Sequence, residues 1–420
     1  MKISSYYRVI PITKALQRAG NANKDAILNY TSNLEINGIF LCDGKQKMLV
    51  ISIDALYIGA DFRDRLEAVF RPRLKSEEIF IAASHTHSAP ALDFNKPQLG
   101  VVDQEYFNKV LEITSDIAEK LMREENQYSC KYRITRYESS AGINRRKFRI
   151  IGGAEKQIKF NQIFQIPNNK EVLPQPSYVI EFFTSDSKSI FIWNLPCHPT
   201  SIPNELGISS GFIGKGRELI RALHSKESVI IFLQGPSGDI RPPSLPTHFS
   251  PKNFIRRLLL GNWFKDFSVK NYDQWITKIL EQLSIEMTTL KSIDLKSISL
   301  FQVVRHTKPY SEFMKNFNLN RKLSIHIIKI NNFSIFGFSG ELLSEFSKYF
   351  DAKYKDNVLL ATCIDDTFGY LPDFDSIHKR GYEVDGFKKY FDIVELKDDS
   401  YFRMIEWIYS TAELIEKSDL

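Results

Sequence analysis

The chain is poor in cysteine, has no long apolar run, and carries no strong excess of either charge. Its four cysteines in 420 residues, Cys42, Cys130, Cys197 and Cys363, form no CxxC pair. That excludes a disulfide framework or a structural zinc finger as the organising device. Apolar stretches such as Val229 to Leu233 are far too short to span a bilayer. The opening MKISSYYRVIPITKAL lacks a basic segment followed by a sustained apolar one, so no secretion signal is read and a cytoplasmic location is expected. A formal charge of +6 over this length does not mark a nucleic-acid binder. No internal repeat, low-complexity tract or linker rich in Pro, Gly or Ser divides the chain. The expectation is a single domain over 1–420.

What is present alternates between strand and helix patterns. Met48 to Ile53 is an apolar, partly β-branched run that reads as a buried strand, Ala60 to Leu74 has helical spacing, and Glu78 to Ala83 reads as a second strand. This β-α-β unit favours parallel pairing and a layered architecture. Asp103 is placed to cap a helix whose apolar face carries Phe107, Val110, Leu111, Ile117 and Leu121. Tyr178 to Thr184 and Ile190 to Leu195 flank a polar turn and read as a hairpin. Further on come a helix over Gly211 to Leu223, strands over Val229 to Leu233, Leu323 to Ile330, Ser334 to Phe338 and Val358 to Cys363, and a closing helix over Tyr401 to Ile415. The fold class expected is mixed α/β, with layered sheets flanked by helices.

Polar clusters recur immediately after these strands. Ser84-His85-Thr86-His87-Ser88 follows the second strand, and a turn of the backbone there lets both histidines face one site. Cys197-His198-Pro199-Thr200, Gln234-Gly235-Pro236-Ser237-Gly238-Asp239, Gly340-Glu341 and the loop with Asp365, Asp366 and Tyr370 each follow another. Read singly, His198 is a turn residue and Glu341 an acid at a helix start. Five such clusters at the downstream ends of five strands are the layout of an α/β active site. Histidine and carboxylate ligands with a position left open suit a catalytic zinc. Asp239 is a candidate for orienting a ligand histidine.

The segment Ala83 to Pro90, ASHTHSAP, resembles the HTHSxP signature of the neutral ceramidase family. The later motifs are similar in order: Asn144-Arg145, HPTS at His198 to Ser201, QGPSGD at Gln234 to Asp239, Gly340-Glu341, then Gly369-Tyr370 and Tyr382-Glu383. The resemblance implies zinc held by His85, His198, Glu341 and Tyr370. It implies that His87, Arg145 and Tyr382 bind the scissile amide and polarise its carbonyl. The activity implied is hydrolysis of an N-acyl amide such as ceramide.

Two departures from the family pattern matter. Arg241 stands in Gly238-Asp239-Ile240-Arg241-Pro242 where the family has a serine, and Ser237 lies four residues earlier. A zinc-activated water, not a serine, is therefore the expected nucleophile, with Arg241 and Ser237 as substrate-binding candidates. Arg241 also suits an anionic substrate group, which opens an alternative: a deacylase of a polar or anionic N-acyl compound, such as an amino sugar or a cell-envelope precursor. The second departure is that the C-terminal β-sandwich domain ceramidases append is not expected here. A non-catalytic lipid-binding relative is a third reading, against which a full ligand set speaks. Lys252 to Lys270 mixes basic and large apolar residues; it reads as a peripheral membrane contact, or equally as a helix packed on its own domain.

Overall fold

The computed structural model describes residues 1–417 except 22, 155–156, 169–174, 246–261, 316–320, 392 and 394. The main sheet contains β1 (Lys2–Ile10), β2 (Leu34–Cys42), β3 (Lys47–Ile53), β4 (Ile79–Ala83), β5 (Tyr128–Ser139), β6 (Gln175–Thr184), β7 (Ser189–Leu195) and β8 (Ile230–Gln234). Their spatial order is β8-β7-β6-β5-β1-β2-β3-β4, with the short strand Lys296–Ser297 on β5. A second sheet runs in sequence order: β9 (Phe301–Pro309), β10 (Lys322–Ile330), β11 (Phe333–Phe338) and β12 (Val358–Ala361).

Only two residue pairs join β1 to β5, Lys2 with Ser129 and Ile3 with Tyr128. The main sheet folds at this weak seam, and its halves share a core with the second sheet. Side chains alternate accordingly. Val50, Phe80, Ile180, Phe182, Ile192, Ile231 and Leu233 point into the core between sheets. Their neighbours on β6, β7 and β8, including Val179, Phe191, Trp193 and Phe232, face the opposite way. They pack on the helices α3 (Gly211–Leu223) and α4 (Val269–Lys291). On the other flank Ile36, Phe40, Leu49, Ile51 and Ile81 meet α1 (Ala60–Phe70) and α2 (Gln104–Met122). A strand buried on both faces reads as a continuous apolar run, which is why β3, β4 and β8 were legible in sequence.

Three β-α-β units dictate where the loops gather. The pairs β3/β4, β7/β8 and β11/β12 are each parallel. They are crossed over by α1, α3 and α5 (Glu345–Tyr354). Parallel partners must end on the same edge. The three edges are then stitched together: Ala83 N–H donates to Cys363 O (3.0 Å), Thr362 N–H to Gln234 O (2.7 Å), and Gly235 N–H to Leu195 O (3.2 Å). Four of the polar clusters and Tyr370 of the fifth therefore arrive in one place, while Asp365 pairs with Arg63 and His326 and Asp366 with Arg321 instead.

Two other features set the layer spacing. A Cβ at Gly38, mid-β2, would stand 2.9 Å from Ile117 and Leu121 of α2, so glycine lets that helix press onto the sheet. Glu35 on β2 takes both arms of Arg221 (2.7 and 2.8 Å), with Arg217 Nε at 3.5 Å, which ties α3 across the layers. Burial opposes ionisation of Glu35, but Arg217 and Arg221 outweigh it and bring its carboxyl from 4.5 down to about 2. A folded-state value below the unfolded one contributes stability above the unfolded pKa and loses it as pH falls through the folded one. Glu35→Gln is thus expected to cost about 3 kcal/mol at neutral pH. In denaturant melts the gap from wild type should close as the pH is lowered from about 5 to about 2; a gap independent of pH would refute the assignment.

The closing helix α6 (Ser400–Lys417) forms as expected, while α1 stops at Phe70, short of Leu74. No helix among the described residues is long and apolar enough to cross a membrane. Of Lys252 to Lys270, residues 252–261 lie outside the described ones. Trp263 and Phe264 are half-buried, and 269–270 open α4.

Candidate metal centre

The centre begins where β4 ends. His85 adopts a left-handed backbone (φ 64°), a conformation that costs of order 1 kcal/mol or more in a non-glycine residue and persists where the surroundings over-determine it. The turn brings His85 and His87 to the same side. His198, delivered by the end of β7, joins them: its Nε2 lies 3.2 Å from His85 Nε2 and 3.0 Å from His87 Nε2.

Each ring is fixed from behind. The Nδ1 atoms lie against backbone carbonyls, His85 on Leu56 (3.0 Å), His87 on Gly20 (3.0 Å) and His198 on Ser237 (3.3 Å). A neutral imidazole that gives its Nδ1 proton to a carbonyl presents an unprotonated Nε2, the form a metal binds. Burial, then the neighbouring His85, lowers His87 to about 3 and His198 well below its ordinary value. Burial also opposes protonation of His85, but Cys363 and Glu341 lift it well above the usual range.

Glu341, following β11, lies against this histidine cluster. Its Oε1 accepts a short hydrogen bond from the Tyr57 hydroxyl. Its Oε2 is buried without a hydrogen-bond partner, 3.5 Å from His85 Nε2 and 3.8 Å from His198 Nδ1. Burial would raise this carboxyl, and His85 holds it down instead. A buried carboxylate oxygen left unpaired is costly, and histidine nitrogens next to a carboxylate are a fitting donor set for a divalent metal. The cluster of His85, His87 and His198 could hold such an ion.

The other expected residues surround this point. Arg145 donates from Nη2 to Gly238 O (2.6 Å) and to the Tyr370 hydroxyl (3.1 Å), and from Nε to Glu383 (2.9 Å). Its guanidinium carbon lies 5.6 Å and 5.7 Å from the ring centroids of Tyr370 and Tyr382. Burial, then the Glu341 charge, raises the Tyr370 hydroxyl well above its ordinary value. Asp239 meets no histidine. Its oxygens take hydrogen bonds from Asn144 (2.8 Å) and from the Ser344 amide (2.7 Å) and hydroxyl (2.9 Å), which hold the loop carrying Arg145. Burial raises Asp239 to about 6 despite these bonds. The role expected of it, steadying a ligand histidine, falls to the Ser237 carbonyl. The Ser237 hydroxyl is engaged by Gln234.

Sequence reasoning missed Tyr57 and the groups behind it. Lys96, paired with Asp93, stands 5.2 Å from the Tyr57 ring centroid. Tyr57 lies just past β3, the one parallel strand whose downstream loop held no polar cluster to draw notice, its lone acid Asp54 being paired with Arg217 of α3.

No family model matches the sequence, and no curated protein does. Solved structures do. Neutral ceramidase from Pseudomonas aeruginosa superimposes with a TM-score of 0.68 over 93% of this chain and 73% of its own, at 11% identity. The fold is similar to that of a neutral ceramidase. A ceramidase complexed with C2 gives a TM-score of 0.67 over 91% of this chain and 71% of its own, at 12% identity. At such identities the likeness is one of fold, and the chemistry has to be argued from the site.

Proposed function

We propose that the chain is a single catalytic unit that hydrolyses N-acyl amides, with zinc held by His85, His87, His198 and Glu341. The observation that carries this reading is the convergence of three imidazole nitrogens, with a buried carboxylate oxygen that has no hydrogen-bond partner 3.5 Å from one of them, His85 Nε2. His87 takes a ligand's place in this proposal because its Nδ1 proton is spent on Gly20. Tyr370, whose oxygen already accepts from Arg145, becomes a donor to substrate. A zinc ion so held supplies Lewis acidity and lowers the pKa of bound water to about 7. Arg145 orients Tyr370 and, with Tyr382, presents donors where a carbonyl oxygen gains charge. Asp239 and Ser344 fix the loop that places Arg145. The similarity of fold to ceramidases supports a ceramide-like lipid amide as substrate. The test is an amide panel spanning ceramides and N-acetyl sugars: release of fatty acid supports the reading, and a zinc-loaded chain inert on every amide refutes it.

Arg241 favours a second reading, in which the amide carries an anion. Its guanidinium hydrogen-bonds Ser201 and stacks 4.4 Å from the Phe264 ring centroid, with Nε buried and unpartnered. Among the described residues no carboxylate lies within ion-pair distance of it. Burial, then the nearby Arg145, lowers it to about 10. A charge kept in this state is expensive unless an anion arrives. Arg241→Ser is expected to lower kcat/KM on a carboxylate- or phosphate-bearing N-acyl amide by about 10- to 100-fold while sparing a neutral one. Equal losses on both would remove the argument.

A further inference from the structure

A long hairpin sits outside both large sheets. The strands Arg146–Ala154 and Gln157–Gln165 pair only with each other, and the hairpin's foot is the candidate site itself. Ile166 N–H donates to Arg145 O (3.0 Å), Arg146 is clamped to Glu383 and Arg380 O (2.5 and 2.8 Å), and a Cβ on Gly381, next to Tyr382, would meet Ile163 at 3.2 Å. Beyond this foot four large apolar side chains of the hairpin stand exposed. Phe148 is 58% exposed, Ile150 68%, Ile151 45% and Phe160 61%.

Register tells which way these side chains point. Ile163 pairs with Phe148, and Phe160 with Ile151. Residues directly across an antiparallel pair share a face, and successive residues alternate. Phe148 and Ile150 therefore lie on one face, Ile151 and Phe160 on the other. A two-stranded hairpin standing by itself is marginal in water. A docked protein or a second copy covers one face; an apolar medium surrounds both. The sequence adds charge suited to an anionic medium: Lys147, Arg149, Lys156 and Lys159 against Glu155 alone. Basic residues beside exposed aromatic and aliphatic ones are the composition of an interfacial anchor.

We infer that the hairpin Arg146–Gln165 is a membrane finger that enters the interface of an anionic bilayer and brings the mouth of the site onto it. Its position, continuous with Arg145, gives a lipid amide a short route from bilayer to metal centre. That purpose rests on the proposed function; the membrane binding does not.

The test is cosedimentation of the full chain with vesicles, no substrate present. Wild type is expected to pellet with phosphatidylcholine vesicles containing phosphatidylserine and to pellet less with phosphatidylcholine alone. The triple variant Phe148→Ser, Ile150→Ser, Phe160→Ser should bind the mixed vesicles at least about tenfold more weakly, with melting temperature and zinc content unchanged. Wild type that ignores the mixed vesicles, or a triple variant that binds like wild type, overturns the inference. So does a wild-type dimer that the triple variant converts to monomer, since the exposed faces would then belong to a second copy. Failure to cleave any amide leaves this result untouched and counts only against the hydrolase reading.

Discussion

His198→Ala is expected to strip the protein of its metal and to lower amide hydrolysis by on the order of 10³-fold or more. His198 is the middle member of the cluster, with His85 and His87 within 3.2 Å on either side. Losing it leaves two nitrogens and a carboxylate that no longer enclose a point. Outside the cluster the ring contacts Ser237 O, so its removal disturbs little of the fold, and circular dichroism should show a native fold. His85→Ala and His87→Ala are expected to lose metal as well. His87 is the discriminating case: a variant that keeps its zinc but turns over slowly would return His87 to the carbonyl-binding role that the family resemblance implies. Activity that survives His198→Ala would end the metal-centre assignment.

The second large effect is expected at Arg145. Arg145→Gln should lower kcat by about 10²- to 10³-fold with a smaller change in KM, because a donor aimed at developing charge acts mainly in the transition state. Arg145→Lys should not rescue it. An ammonium cannot reproduce the fork that reaches Gly238 O, Tyr370 and Glu383 together. Zinc content should stay at the wild-type level, which separates this defect from that of His198→Ala. Glu383 keeps its bond to Arg146 (2.5 Å), so the buried carboxylate is not wholly abandoned and the variant is expected to fold. A KM effect with kcat untouched would make Arg145 a binding residue only.

Much of this arrangement could be read from sequence, for a physical reason. Strands buried on both faces must be apolar throughout, so β3, β4, β7, β8, β11 and β12 stood out, and the polar residues ending them stood out in turn. The strands that escaped notice are less uniform. β1 carries Ser4, Ser5 and Arg8, because part of it faces solvent. β2 contains Asn37-Gly38, which reads as a turn, yet Asn37 is fully buried and Gly38 is there to admit α2. The hairpin Arg146–Gln165 escaped too, since apolar side chains on both faces of an exposed ribbon follow no burial pattern. At the site, His85, His198 and Glu341 lie within 3.8 Å of one another. What no spacing could reveal was the direction of each imidazole. That is set by the carbonyls of Leu56, Gly20 and Ser237, which come from three distant parts of the chain.

The central claim is that these residues hold a zinc ion on which amide hydrolysis depends. Its most direct test is elemental analysis of the purified chain together with hydrolysis of an N-acyl amide before and after chelation. The account predicts one zinc per chain, loss of both metal and activity on chelation, and recovery of both when zinc is returned. Full activity in a chain measured to be free of metal would contradict it.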